Sequence, residues 1–251
     1  MSNSLLALIL AATAVIIFAA VLLFSRRGIP FRQITSVRRL IKAIDQSTAD
    51  GKRVHIGLAN GQFLSPMNAS ALAGLEVLRQ VELDTLASDS PAVATSSDAP
   101  SIMLAHDVIH VINHTRGQET LYDPGLARQT GVNPLTYAVG TAAANRHEGV
   151  QTQLVMGDFG PEILYLHDSM SKADGYSLSV SNSIAGQTAA YAISDDVLIG
   201  EELFALPAYL SGRKLHAASV LTQDILRWIA IILILVGVII KVISRLLVVP
   251  V

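Results

Sequence analysis

His106, His110 and His114 recur every four residues, a spacing that stacks three imidazoles along one stripe of a helix. Neutral imidazole nitrogens are good ligands for transition metals, so adjacent pairs in this stripe are candidate metal ligands. A working site needs a third ligand and an acid or base that converge on the pair. Asp107 points about 100° away around the helix, and no His-Glu-x-x-His pattern occurs. A solvated or interfacial stripe of histidines explains the same spacing, as does an association that responds to pH.

A second constellation is Val155-Met156-Gly157-Asp158-Phe159-Gly160-Pro161-Glu162, which reads as a strand entering a glycine turn and then a helix. Such a turn exposes backbone N–H groups at the positive end of a helix, the arrangement that holds phosphates in nucleotide-binding folds. Here the spacing is not G-x-G-x-x-G, no lysine follows, and Asp158 and Glu162 would repel an anion. Gly57 and Asn60, after an earlier strand, and Gly200 and Glu201, after a later one, stand at equivalent strand ends. The ligand-binding candidates are therefore Gly57, Asn60, Gly157, Asp158, Gly160, Gly200 and Glu201. Tight turns and helix capping account equally for their residue types. No serine elbow, phosphate-binding P-loop, zinc signature or paired catalytic carboxylate is present, so no catalytic residue is assigned and no cofactor is expected. Cysteine is absent, which removes disulfides and thiol chemistry.

The elements that must position these residues alternate. Residues 34–47 place Ile34, Val37, Leu40, Ile41 and Ile44 on one helical face. A strand is expected over residues 54–58, a helix capped by Asn68, a short strand over 92–95, and a helix capped by Asp98 that runs to Thr115. Residues 118–131 read as a polar connection, and Asn133-Pro134 opens a helix that ends near Glu148. Three strand–helix units follow, over residues 152–173, 176–193 and 197–210. This order predicts an α/β fold with a doubly wound, mostly parallel sheet of about five strands.

Both ends of the chain are apolar. Leu5 to Phe24 carries no charge, and Trp228 to Val251 is interrupted only by Lys241 and Arg245. Each stretch is long enough to cross a bilayer, for which about 20 apolar residues suffice. Arg26, Arg27, Arg32, Arg38, Arg39 and Lys42 crowd the residues after the first stretch, and excess Lys/Arg marks the cytoplasmic side. The expected organisation is an N-terminal transmembrane helix (1–24), a basic juxtamembrane helix (25–50), a cytoplasmic Rossmann-like α/β domain (51–215) and a long helix continuing as a C-terminal span (216–251). Both termini would lie outside a bacterial cytoplasmic membrane. Lys241 and Arg245 are expected to reach toward the outer membrane surface by snorkelling, the alternative being contact with carbonyls, lipid phosphate or a neighbouring subunit.

Residues 25–53 hold eight Lys/Arg against two Asp, whereas residues 54–225 hold seven Lys/Arg against eighteen Asp/Glu. The basic segment suits an anionic leaflet, and the acidic remainder argues against nucleic acid as a partner. Charged residues make up only 15% of the chain, against about 25% in typical soluble domains. A chain this poor in charge is expected to hide part of its surface in a homo-oligomer, and tight intramolecular packing explains the same counts.

Several phrases occur together and in order: His55-Ile56-Gly57, Ala73-Gly74-Leu75, Ser88-Asp89-Ser90-Pro91 before Ala94-Thr95, Glu148-Gly149-Val150, Gly157 to Glu162, Ile199 to Ala205, Ala208-Tyr209-Leu210 and Gln223-Asp224. Over about residues 35–227 the chain resembles a bacterial membrane-anchored family known as domain of unknown function 6754. The resemblance implies the architecture and supplies no activity. Two function classes follow from the residues: a membrane-anchored organising protein that assembles with copies of itself, and a tethered sensor that takes a small ligand at its strand ends.

Overall fold

The computed structural model describes residues 34–58, 69–86, 88, 90–117, 122–171 and 174–248, together with Thr13, Val15–Ala19, Val21 and Leu23. The chain divides into two compact units, Arg32–Ser211 and the two chain ends, Met1–Phe31 with Gly212–Val251. The first unit is the α/β domain. Its elements are α1 (Thr35–Ala49), β1 (Arg53–Leu58), α2 (Ala69–Thr85), β2 (Val93–Ser96), α3 (Ala99–Thr115), β3 (Ala127–Gln129), α4 (Pro134–Glu148), β4 (Val150–Gly157), α5 (Ile163–Ser171), β5 (Tyr176–Ser181), α6 (Ile184–Ile193), β6 (Asp196–Ile199) and α7 (Glu202–Ser211).

Six strands pair in the order β3-β2-β1-β4-β5-β6, and every pairing is parallel. The sheet is the parallel α/β sheet expected, with six strands in place of about five. The extra strand is β3, three residues inside the segment read as a polar connection. It follows a single 3-10 turn, Pro124–Leu126, and pairs only with β2, so it has too few residues to show a period of two.

Local chemistry sets the helix boundaries. The Asp98 carboxylate accepts the Ser101 N–H at 3.2 Å and starts α3. Asn133 and Thr136 form a reciprocal capping box at α4, with Pro134 in its first turn. Gly149 ends α4 in the left-handed region at φ 65°, where a side chain would be strained. Asn68, the expected cap of α2, lies outside the described residues.

The strands send alternate residues to opposite faces. One face presents Val54, Ile56, Leu58, Leu154, Met156, Leu178, Val180 and Leu198, all buried beneath α1, α2, α3 and α7. Helix α1 contributes Val37, Leu40 and Ile44 to this core, so the amphipathic stripe expected beside the membrane packs on the sheet. Its Ser36 hydroxyl donates to Asp196 at 2.9 Å, Arg39 pairs with the same carboxylate at 3.1 Å, and Tyr176 donates to it at 2.8 Å. These bonds tie the start of α1 to the amino ends of β5 and β6.

Within the chain-end unit, α8 (Lys214–Val248) is a helix of 35 residues. Its stretch His216–Ile243 is long and apolar enough to cross a membrane, by length and composition. The expected first span falls mostly outside the described residues.

Glu82 on α2 is fully buried and accepts a hydrogen bond from the Asn113 side chain of α3 at 3.1 Å. Burial pushes its pKa up to about 7, against the pull of hydrogen bonds from Asn113 and the Ala92 backbone. The folded pKa exceeds the unfolded value, so this group's contribution to stability is complete below about pH 4.5 and is lost as pH rises toward 7. Relative to wild type, Glu82→Gln is therefore expected to gain about 2–3 kcal/mol between pH 5 and 7.5. Urea unfolding at the two pH values checks this, and a constant offset between the two proteins contradicts it.

Candidate functional site

The order 3-2-1-4-5-6 reverses direction between β1 and β4, and in open α/β sheets the crevice outside the carboxyl ends at such a point is the ligand position. Gly57 aligns with Val155 and Leu58 with Met156, so the Gly57 and Gly157 strand ends are brought side by side. Gly57 is buried, and a Cβ there would lie 3.0 Å from the Tyr137 hydroxyl. Its missing side chain makes room for a helix residue. Gly157 sits at φ 138°, and its carbonyl accepts the Asn182 N–H at 3.2 Å. Asp158 is half-buried, Phe159 is fully buried, and the Gly160 N–H donates to the Glu162 carboxylate at 2.8 Å. Glu162 thus occupies the backbone donor that an anion would need.

Gly200 and Glu201 lie elsewhere, at the end of edge strand β6, two strand spacings or about 10 Å from β4. Asn60, Arg26, Arg27 and Arg32 are outside the described residues. Arg38, Arg39 and Lys42 are exposed on α1, Lys241 is exposed on α8, and the Arg245 side chain is outside the described set.

The histidine stripe exists on α3, over the opposite face of the sheet from the Gly57 side chain position. The His110 and His114 rings stack with centroids 6.2 Å apart. Tyr122 lies edge-on to His110, and its hydroxyl is 3.3 Å from His106 Nδ1. Among the described residues, no group of three or more His, Cys, Asp or Glu side chains is arranged to hold a metal ion.

The larger chemical feature is one that motif reading passes over. The second face of the sheet, under α4, α5 and α6, is lined by His55, Thr95, Gln153, Ser177, Ser179 and Ser181, all buried. Parallel sheets covered on both sides are ordinarily apolar on both. In this layer His55 Nε2 is 2.8 Å from the Thr95 hydroxyl, which is 3.0 Å from the Tyr137 hydroxyl. Thr141 joins Thr95 at 3.4 Å and Thr130 at 2.6 Å. Farther along, His167 Nε2 meets Ser179 at 2.5 Å, and Ser179 meets Ser194 at 2.7 Å. Desolvation depresses His55 to about 3, aided by Arg128 and His167, and desolvation also lowers His167 to about 4. Both imidazoles are neutral at physiological pH, and the Tyr137 phenol, raised by burial, keeps its proton. The signal in the chain is the alternation Ser177-Leu178-Ser179-Val180-Ser181 and Val54-His55-Ile56-Gly57.

The family model described as Domain of unknown function (DUF6754) matches residues 1–250. The chain belongs to the DUF6754 family. No curated protein and no solved structure matches it. Family membership therefore carries no activity onto the geometry, and the site must be argued from its residues.

Gly57→Ala is expected to destabilise the domain by about 1–3 kcal/mol through overpacking against Tyr137. Tyr137→Phe removes the oxygen that the new methyl meets, so the double variant should lose less than the sum of the single ones. Thermal unfolding of the four proteins measures this coupling, and strict additivity contradicts the contact.

Proposed function

We propose that this DUF6754 protein is a membrane-anchored organising protein whose α/β domain assembles with copies of itself. The observation that carries this reading is the outer surface of α4 and α6. Helix α4 turns Tyr137, Thr141 and Asn145 inward to the polar layer and leaves Leu135 and Val139 outward, beside Val132 in the preceding turn, with exposures of 54%, 51% and 80%. Ala138 and Ala142 are buried with the inward residues, but the large aliphatic side chains, which an ordinary surface helix keeps inside, face out. Helix α6 adds Ile184 and Tyr191, exposed by 81% and 79%, and α5 between them adds Leu164 and Tyr165. No charged residue occurs from Val132 to Asn145 or from Tyr176 to Ser194. Large apolar side chains exposed on three neighbouring helices, with Asp168 of α5 and its ion-pair partner Arg146 of α4 among them, are costly to leave in water and suit contact with another protein surface.

The apolar α8 and the basic segment after the first apolar stretch support attachment to a bacterial cytoplasmic membrane, with the domain in the cytoplasm and both termini outside. Chains anchored in one plane and one orientation meet repeatedly at the same surface, which favours self-assembly. The particle mass of the full chain in mild detergent tests this. A discrete particle of several 26.7 kDa subunits is expected, and Leu135→Glu with Val139→Glu should reduce it to the monomer. A monomeric wild type overturns the reading.

A second reading, a tethered module binding a small ligand, is favoured by the strand order, which places a switch point between β1 and β4. It predicts a rise in melting temperature with a nucleotide, sugar or divalent ion at millimolar concentration. A screen without any stabilisation counts against it.

A further inference from the structure

Two guanidiniums share a single carboxylate at the last turn of α4. Arg53 begins β1 and Arg128 is the middle residue of β3, two strands away in the sheet. Both reach Glu148, Arg53 at 3.5 Å and Arg128 in closer contact. The three side chains stay partly accessible, at 33%, 34% and 18%. They line a cleft of about 590 Å³, together with His147, Asp123 and the small residues Ala143, Ala144 and Gly125.

We propose that this cleft binds a small oxyanion, a carboxylate or phosphate group carried by a small molecule. One arginine would suffice to fasten the end of α4 to the sheet. The second brings like charge to the same carboxylate and leaves guanidinium N–H groups without an acidic partner, since each fork carries five donors. Arg128 Nε is buried without a hydrogen-bond partner among the described residues, as is Glu148 Oε2, which Arg53 meets as an ion pair only. The walls beside the arginines are alanine and glycine, and although Arg128 Nε itself is covered, about a third of each arginine side chain stays accessible from outside. Charge also limits the ligand. Glu148 and Asp123 balance the two arginines, and the Asp123 carboxylate is held at the rim by the Gly125 N–H at 2.8 Å. A compact oxyanion that docks against the guanidinium donors is accepted, whereas a polyphosphate or nucleic acid strand meets both carboxylates. The cleft lies by the amino end of β1, away from the switch point, so this site is independent of the strand-end reading.

The test uses inorganic phosphate as probe, with the full chain in detergent and ionic strength held constant with chloride. Phosphate is expected to raise the melting temperature of wild type in a saturable way. Arg53→Gln and Arg128→Gln should each weaken phosphate binding about tenfold or more, the loss of one charge-assisted hydrogen bond. Glu148→Gln removes the competing carboxylate and should tighten it several-fold, which keeps the test decisive if an arginine variant fails to fold. Equal stabilisation of wild type and the arginine variants, no stabilisation of wild type, or weaker binding by Glu148→Gln each overturns the proposal.

Discussion

The parallel sheet is the constraint from which the rest of the domain follows. Parallel neighbours cannot be joined by hairpins, so every connection crosses a face of the sheet, and both faces are covered by helices. Strand alternation then decides what each layer of helices meets. Under α1, α2, α3 and α7 it meets Val, Ile and Leu, and burial of that surface supplies the main driving force for folding. Under α4, α5 and α6 it meets His55, Thr95, Gln153 and the serines of β5, whose polar atoms need partners once water is excluded.

Helices supply some of those partners, Tyr137 to Thr95 and His167 to Ser179. Ser177 is met by Asp195 and Ser181 by the Phe159 carbonyl, while the Gln153 amide has no hydrogen-bond partner among the described residues. Helix α4 places Tyr137, Thr141 and Asn145 on the inside beside Ala138 and Ala142, and its larger aliphatic residues Leu135 and Val139 face out. The interior polar layer and the exposed apolar face are thus two sides of one arrangement. At the other end of α4, Glu148 receives two arginines from strands on the same face, so the polar layer opens at the domain surface as a charged cleft.

Glycine has a specific part in this geometry. At Gly57 the absent Cβ admits the Tyr137 hydroxyl to the layer, and at Gly186 a Cβ would meet the Phe159 carbonyl at 2.0 Å, so α6 lies directly against the loop after β4. The loop Gly157 to Glu162 is further fastened by Ser181, whose hydroxyl donates to the Phe159 carbonyl at 3.0 Å. Its glycines serve close packing, and its free backbone N–H at Gly160 is already bonded to Glu162. The histidines of α3 likewise have a local partner in Tyr122.

What the residues determine alone is the succession of elements. Capping signals at Asp98 and Asn133 and the apolar positions of β1, β4 and β5 are local, so the helices α3 and α4 and the long strands were legible to within a residue or two. Gly200 was legible as a turn for the same reason, whereas Gly57, expected in a loop after the first strand, lies inside β1 between β2 and β4. Strand β3 was not, because three residues next to a proline turn become a strand only when β2 is there to pair with. The polar layer, the inverted α4 and the Arg53–Glu148–Arg128 cluster were decided by tertiary structure alone. Each depends on which strands become neighbours and which face a helix covers, and Arg53 meets Glu148, far along the chain, only after the sheet order 3-2-1-4-5-6 has formed.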